Sequence, residues 1–238
     1  MRYLILLLTV CLVSCTAKEK QFSGKELLEK SLQYHDPKEE WSTAKFTLSI
    51  REPRTKNPER FSIVSINNQD NSFMLSRARE GKMALYELDA EGKTIVLLDN
   101  QVVKDSSLIK HYFLEHNRVK RYQDFYVTLL GLPMSLTEKR LSKVGSSTQV
   151  IFNEKSAYKV PIQLKEPMFS DTWNLFFSTE NFSLIGIEMI FPEDPMKGER
   201  LYFLDNFQID SMTIPKIRHW YDLSGTLGGS DVIGKRLK

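Results

Sequence analysis

The feature that most constrains the fold is a two-residue alternation of apolar and polar side chains, repeated in short segments along most of the chain. In the first clear segment, Phe46, Leu48 and Ile50 alternate with Thr47 and Ser49, which is the period of a strand with one buried face. Similar segments, separated by short turn-forming sequences, follow at 61–66, 72–79, 82–88 and 93–98. Because such short links join only antiparallel neighbours, the first half is predicted to be a meander.

Two helical blocks interrupt the strand pattern. Ser23 and Glu26 have the spacing of a capping box, and Pro37 follows soon after, which predicts a helix between them. The second block is predicted to start at a Ser106 or Ser107 N-cap and to stop at Gly131. After Asn117, its apolar residues follow the spacing of one helix face: Tyr122, Phe125, Tyr126, Leu129 and Leu130.

Strand patterns resume near Thr148 and continue to the end of the chain. They include separate predicted strands at 199–204 and 207–211, and a longer predicted loop at 191–198. About a dozen antiparallel strands, with helices before and in the middle, predict a mainly β fold with helices (α+β). We expect a large curved antiparallel meander sheet or half-barrel, with the helices on the concave face.

Several predicted strands are apolar on both faces, which a sheet wetted on one side would not require. Trp173 lies on one face of its segment and Phe176 on the other. Two interpretations stay open: an ordinary packed core, or a concave face that partly lines an apolar cavity. For the second, the candidate lining residues are Phe125, Tyr126, Leu129, Trp173 and Phe176.

The N-terminus predicts export and lipidation. Arg2 precedes a short apolar run that ends in Ser14-Cys15, as in a bacterial lipoprotein signal. We expect residues 1–14 to be a signal peptide, 15–22 a tether lipidated on Cys15, and 23–238 a single β-rich domain. An uncleaved membrane helix is the alternative, but charged residues at 18–20 end the apolar run before the roughly 20 residues that spanning requires.

Composition excludes several kinds of chemistry. The only cysteines are Cys11 and Cys15, so the predicted mature domain has no disulfide, no cysteine metal site and no cysteine nucleophile. The whole sequence has 33 basic and 30 acidic residues, and of these only Arg2 lies within residues 1–14. This near balance, together with export, disfavours a nucleic-acid partner. No metal or cofactor is expected. A candidate polar site remains at His35 and Asp36, either as an acid–base pair or with His35 capping the last helical carbonyls.

A series of short motifs carries a resemblance to known proteins. In chain order they are Tyr34-His35-Asp36-Pro37 with Trp41, Asp171-Thr172-Trp173, Gly198-Glu199, Ile214 to Arg218 with Trp220-Tyr221, and Gly228 near Asp231. This order resembles a lipoprotein family of unknown function found in Bacteroidota. The strand layout is also similar to the half-barrel of LolA/LolB/LppX-like lipoprotein and lipid carriers. That resemblance implies acyl chains held between a curved sheet and covering helices.

Three functions remain as hypotheses. The first is a membrane-tethered, non-catalytic binding module for an apolar ligand such as a lipid or acyl chain. The second is a structural or protein-interaction lipoprotein with a solid core, and the third is a hydrolase that uses His35. The expected location is the outer membrane, facing the periplasm, with the membrane bound through the N-terminal lipid.

Overall fold

The computed structural model describes residues 21–237, so the predicted signal peptide and Cys15 lie outside the described residues. The first half contains, in order, α1 (Gly24–His35), a 3-10 turn (Trp41–Thr43), β1 (Lys45–Glu52), β2 (Arg60–Asn67), β3 (Ser72–Arg79), β4 (Lys82–Leu88), β5 (Thr94–Leu98), α2 (Ser106–Tyr112) and α3 (Arg118–Leu130). The second half contains β6 (Leu141–Val144), β7 (Thr148–Phe152), β8 (Lys155–Met168), β9 (Ser170–Ser178), β10 (Leu184–Phe191), β11 (Asp194–Ile209), β12 (Met212–Asp222) and β13 (Leu227–Leu237).

All thirteen strands in residues 21–237 form one antiparallel sheet. Its order is β5-β4-β3-β2-β1-β13-β12-β11-β10-β9-β8-β6, and β7 also pairs with β8. The pairing of β1 with β13 joins the two meanders into one sheet, whose outer strands remain open. This layout confirms the predicted mainly β fold with helices. None of the helices between residues 21 and 237 combines the length and hydropathy that a bilayer crossing requires.

Local sequence chemistry explains the helix starts. The predicted capping box of α1 is confirmed: the Glu26 N–H donates to Ser23 Oγ, and the Ser23 N–H donates to the Glu26 carboxylate. The predicted serine cap of α2 is wrong. Asp105 caps this helix, because its carboxylate accepts the backbone N–H groups of Ser107 and Leu108.

The predicted loop at 191–198 and the two short strands after it are also wrong. β11 runs without interruption from Asp194 to Ile209, and the pairing register shifts next to Gly198, which has a φ of 145°. Asp205 lies in the left-handed region at φ 52°, but the register of β11 with β12 is the same on both sides of it. A bulge bends a strand while its pairing continues. The pairing of β11 with β12 keeps one register from Glu199 to Ile209, so the two apparent strands form one.

The core consists of two apolar clusters on the face of the sheet that the helices cover. The first lies on β1–β5 and includes Leu48, Val64 and Leu75, while the second lies on β8–β11 and includes Trp173 and Ile187. α3 packs on the first cluster, and α1 supplies Leu27 and Leu28 to the second. The opposite face has a small cluster of its own, formed by Phe152, Ala157 and Phe176.

Candidate functional site

Charged side chains replace the apolar pattern at one end of the sheet, below α3. Glu52 occupies the next inward position after the apolar residues of β1, and it is only 1% exposed. Its carboxylate lies 3.2 Å from an Arg60 nitrogen, 3.3 Å from one of Arg54 and 3.4 Å from one of Arg77. Ser62 Oγ donates to the same carboxylate at 2.5 Å. Three arginines and a hydroxyl therefore compensate for one buried carboxylate.

The surrounding charges keep the Glu52 carboxylate ionised. Burial raises the pKa of Glu52, but Arg77 and Arg60 outweigh it and the net pKa is lowered. Burial lowers the pKa of Arg77, but Tyr126 and Glu52 outweigh it and the net pKa is raised. The Tyr126 hydroxyl, which accepts from Arg77, lies 3.3 Å from Glu52. Glu52 and Arg77 therefore remain an ion pair at neutral pH.

A second buried carboxylate extends the network. Asp231 accepts from Arg54 at 2.6 Å with one oxygen and from Trp220 Nε1 at 2.7 Å with the other. Arg218 pairs with Asp231 in the β12–β13 register and is 1% exposed. Its three side-chain nitrogens have no hydrogen-bond partner in the described part of the chain. Burial lowers the pKa of Arg218 to about 10, against the opposing effect of Asp231.

Beside this network lies a cleft of about 500 Å³, which we call the α3 cleft. One wall is apolar and consists of Phe125 from α3 with Pro167, Met168 and Phe169 from the β8–β9 turn. The remaining lining residues are polar or charged: Glu52, Arg60, Arg77, Arg121, Tyr122 and Asp124. The α3 cleft therefore brings an apolar wall next to buried charges, a combination typical of small-molecule sites.

Aromatic contacts fix the apolar wall. The Phe125 ring stacks on Trp220 with the ring centroids 6.0 Å apart, and it meets Phe169 edge to face at 5.9 Å. Phe169 itself is 56% exposed and has a φ of 62°. A bulky residue rarely adopts this left-handed backbone conformation. The β8–β9 turn thus holds an exposed aromatic ring at the edge of the cleft.

The five predicted lining residues do not lie around one space. Phe125 lines the α3 cleft, whereas Tyr126, Leu129 and Trp173 are at most 3% exposed within the packed apolar clusters. Phe176 faces the other side of the sheet, where its ring stacks on Phe152. Its assignment to the same cavity is therefore wrong: Phe176 lies three positions after Trp173 on β9, and side chains an odd number of positions apart on a strand point to opposite faces.

His35 and Asp36, the candidate polar site, are not arranged as either prediction expected. His35 is 1% exposed; its Nδ1 lies 2.6 Å from the Thr213 carbonyl and its Nε2 accepts from the Leu184 N–H. Burial lowers the pKa of His35 to about 4, although the Thr213 bond raises it. The Asp36 carboxylate accepts the N–H groups of Glu40 and Trp41. Both side chains therefore bond to backbone groups rather than to each other, and His35 does not cap α1.

Sequence reasoning missed the buried charges. Glu52 continues the inward positions Phe46, Leu48 and Ile50, and Arg77 continues the positions of Phe73 and Leu75. A charged residue in the buried phase of an alternating strand is the signal that could have found them. Among residues 21–237, no group of three or more histidine, cysteine, aspartate or glutamate side chains is placed to hold a metal ion.

A larger groove of about 810 Å³ lies elsewhere, between the start of α1 and residues 143–146. It runs along the edge of the sheet, beside Ile162 and Thr172, and no buried charged side chain lines it. The α3 cleft is the better candidate site despite its smaller volume, because it joins apolar and charged groups in one concave space.

The fold has counterparts among solved structures. A LolA superfamily protein from Nitrosomonas europaea aligns over 90% of this chain and 93% of its own, with a TM-score of 0.52 and 11% identity. A DUF1329 family protein from Desulfovibrio piger aligns over 90% and 92%, with a TM-score of 0.51 and 9% identity. The fold of this chain is thus similar to the folds of these two proteins.

The sequence gives a closer assignment. Residues 1–195 match the family of unknown function DUF6503, and the chain belongs to that family. No protein of curated function matches the sequence. Both predicted resemblances, to a family of unknown function and to the LolA-type layout, are confirmed.

Proposed function

We propose that this protein is a non-catalytic binding module for an apolar ligand such as a lipid or acyl chain. The ligand occupies the α3 cleft, and the lipid on Cys15 tethers the protein to the outer membrane, facing the periplasm. The observation that carries the proposal is the cleft itself, with about 500 Å³ beside an apolar wall. This volume lies within the range of about 300 to 1,000 Å³ that is usual for small-molecule sites.

The exposed ring of Phe169 gives an apolar ligand a specific contact. More than half of this side chain faces solvent, and the turn that carries it holds an unfavourable φ. Full burial of a phenylalanine side chain contributes roughly 1.5 to 3 kcal/mol. Covering the exposed half of Phe169 would thus contribute about 1 kcal/mol to ligand binding.

The fold supports the same proposal. The carriers that the strand layout resembles hold acyl chains between a curved sheet and its covering helices. The α3 cleft likewise lies between a helix and a sheet, with α3 on one side and the sheet face that carries Glu52 and Arg77 on the other.

A protein-interaction role is the second candidate, and one observation favours it. The sheet face opposite α3 exposes apolar side chains on β2, β4 and β5, namely Phe61, Ile63, Met83 and Ile95. Exposed apolar side chains on one face of a sheet are a feature of many protein contacts. In this alternative, the packed clusters below α1 and α3 are an ordinary core and the partner binds the opposite face.

Photo-crosslinking in cells tests the two candidates with the full chain. The photoreactive residue p-benzoylphenylalanine replaces Phe169 in one variant and Phe61 in a matched control. The two native rings are almost equally exposed, at 56% and 54%, but Phe61 lies on the opposite face. After irradiation, mass spectrometry identifies the molecules attached to each variant.

We expect lipid adducts at position 169 and few at position 61. If position 169 captures lipid no more often than position 61 does, the α3 cleft is not a lipid site. Protein adducts at position 61 alone would favour the interaction role.

A further inference from the structure

A smaller pocket adjoins the α3 cleft at the side of α2. Its volume is about 230 Å³, and we call it the basic pocket. Its lining consists of Ala84, four aromatic side chains and five cations: Arg60, Arg77, Arg79, Lys82 and Arg118. No carboxylate is among its lining residues.

Aromatic rings hold several of these cations in place. The Phe113 ring lies 4.6 Å from the Arg118 guanidinium carbon and 5.2 Å from that of Arg79. Phe113 caps the end of α2 at φ 61°, in the left-handed region. Tyr122 contacts Arg77 in the same way at 5.2 Å. Such cation–π contacts position a guanidinium without neutralising it.

The carboxylates that pair with the five cations are not among the residues that line the pocket. Glu52 pairs with both Arg60 and Arg77, whereas three other carboxylates pair singly. These three pairs are Glu80 with Arg79, Asp99 with Lys82, and Glu115 with Arg118. The cations thus exceed their paired carboxylates by one, which leaves the pocket suited to a single negative charge. In addition, Arg60 Nε is buried and has no hydrogen-bond partner within residues 21–237.

The two spaces are neighbours that share part of their lining. Arg60, Arg77 and Tyr122 line both the basic pocket and the α3 cleft. One end therefore presents guanidinium groups, which bind phosphate oxygens in a bidentate geometry. The other end presents the apolar wall around Phe169.

We propose that the basic pocket binds the phosphate headgroup of an anionic lipid whose acyl chain lies in the α3 cleft. The proposal rests on the function proposed above and specifies its ligand as a monoanionic phospholipid. A pocket of about 230 Å³ is below the usual size of a whole small-molecule site, which is consistent with its holding the headgroup alone.

The headgroup composition of captured lipids tests this proposal in the full chain. The photoreactive variant at position 169 is compared with the same variant carrying Arg79→Gln and Arg118→Gln. Both arginines are partly exposed, with side-chain exposures of 25% and 31%, so neutral replacements leave the core intact. Arg236→Gln is the matched control, because Arg236 also pairs with a carboxylate, that of Asp210, and neither residue lines the pocket.

We expect captured lipids to be enriched about tenfold in phosphatidylglycerol-type headgroups over the surrounding membrane. A tenfold preference corresponds to a binding free energy that is more favourable by about 1.4 kcal/mol. The double variant should lose this enrichment and still capture lipid, and Arg236→Gln should retain it. Captured lipids with the composition of the membrane, unchanged in the double variant, would overturn the headgroup assignment alone. No captured lipid at all would overturn the proposed function.

A second arm separates a lipid headgroup from free phosphate. The thermal unfolding of the full chain in detergent is measured with short-chain phosphatidylglycerol and, separately, with inorganic phosphate at the same concentration. We expect only the lipid to raise the melting temperature, and only when Arg79 and Arg118 are present. An equal rise with inorganic phosphate would identify a free-oxyanion site and refute the lipid assignment.

Discussion

Acidification should destabilise this protein through a single buried histidine. His35 bonds to Thr213 on β12 and to Leu184 on β10, and so joins the end of α1 to two strands. Its pKa in the folded protein is about 4, against 6.5 for an ordinary histidine. Between these values the unfolded chain binds a proton that the folded protein excludes, so stability falls as pH falls.

The size of the effect follows from the two pKa values. One pKa unit corresponds to about 1.4 kcal/mol, so the full penalty below pH 4 is about 3 kcal/mol. It is absent well above pH 6.5 and reaches about 2 kcal/mol at pH 5. The effect of His35 falls mostly at higher pH than the effect of carboxylates such as Glu52. Because the pKa of Glu52 is lowered in the folded protein, its protonation reduces stability only at still lower pH.

Urea unfolding at pH 7 and pH 5 measures this dependence in the wild type and in His35→Gln. The variant cannot titrate, so its loss of stability over this interval should be smaller by about 2 kcal/mol. His116→Gln is the control, because His116 is exposed and its replacement should leave the wild-type dependence unchanged. Equal pH dependence in the wild type and His35→Gln would refute the buried, neutral histidine.

Four further substitutions test other parts of the account. Cys15→Ala should leave an unprocessed precursor on immunoblots, and normal cleavage and membrane binding would contradict the lipoprotein assignment. Trp173→Ala should cost about 3 to 5 kcal/mol in chemical unfolding, because this residue is fully buried; a change within error would place it outside the core. Arg218→Met should be neutral or stabilising by about 1 to 4 kcal/mol, since it removes an unpartnered buried guanidinium. Arg77→Met should instead cost about 3 to 5 kcal/mol, because it leaves Glu52 with fewer compensating charges. The opposite ranking of these two arginines would contradict the described network.

The fold was largely predictable because its signals are local. Strand periodicity, short links and the Ser23 capping box each depend on a few neighbouring residues, and the structure confirms them. The predicted break in β11 failed for the opposite reason. The register shift beside Gly198 and the unbroken register around Asp205 both depend on pairing with neighbouring strands, which a single-strand pattern does not show.

The candidate site was less predictable because it depends on contacts across the sheet. Glu52 and Arg77 lie on different strands, and the arginines around Glu52 come from separate segments. Of the predicted cavity residues, only Phe125 lines the α3 cleft. Aromatic content indicated where apolar surface lies, but it did not separate core packing from a ligand space.

Hydrogen exchange of the protein with and without added lipid tests the central claim most directly. None of the residues of α2 is buried, whereas β9 is buried along most of its length. A helical cover over a ligand space should open at lower free energy than the strands. The account predicts faster amide exchange in residues 108–130 than in 172–191, and slower exchange of 108–130 once lipid is added. Equal protection of both segments, unchanged by lipid, would contradict a ligand-binding cleft and leave a solid interaction domain.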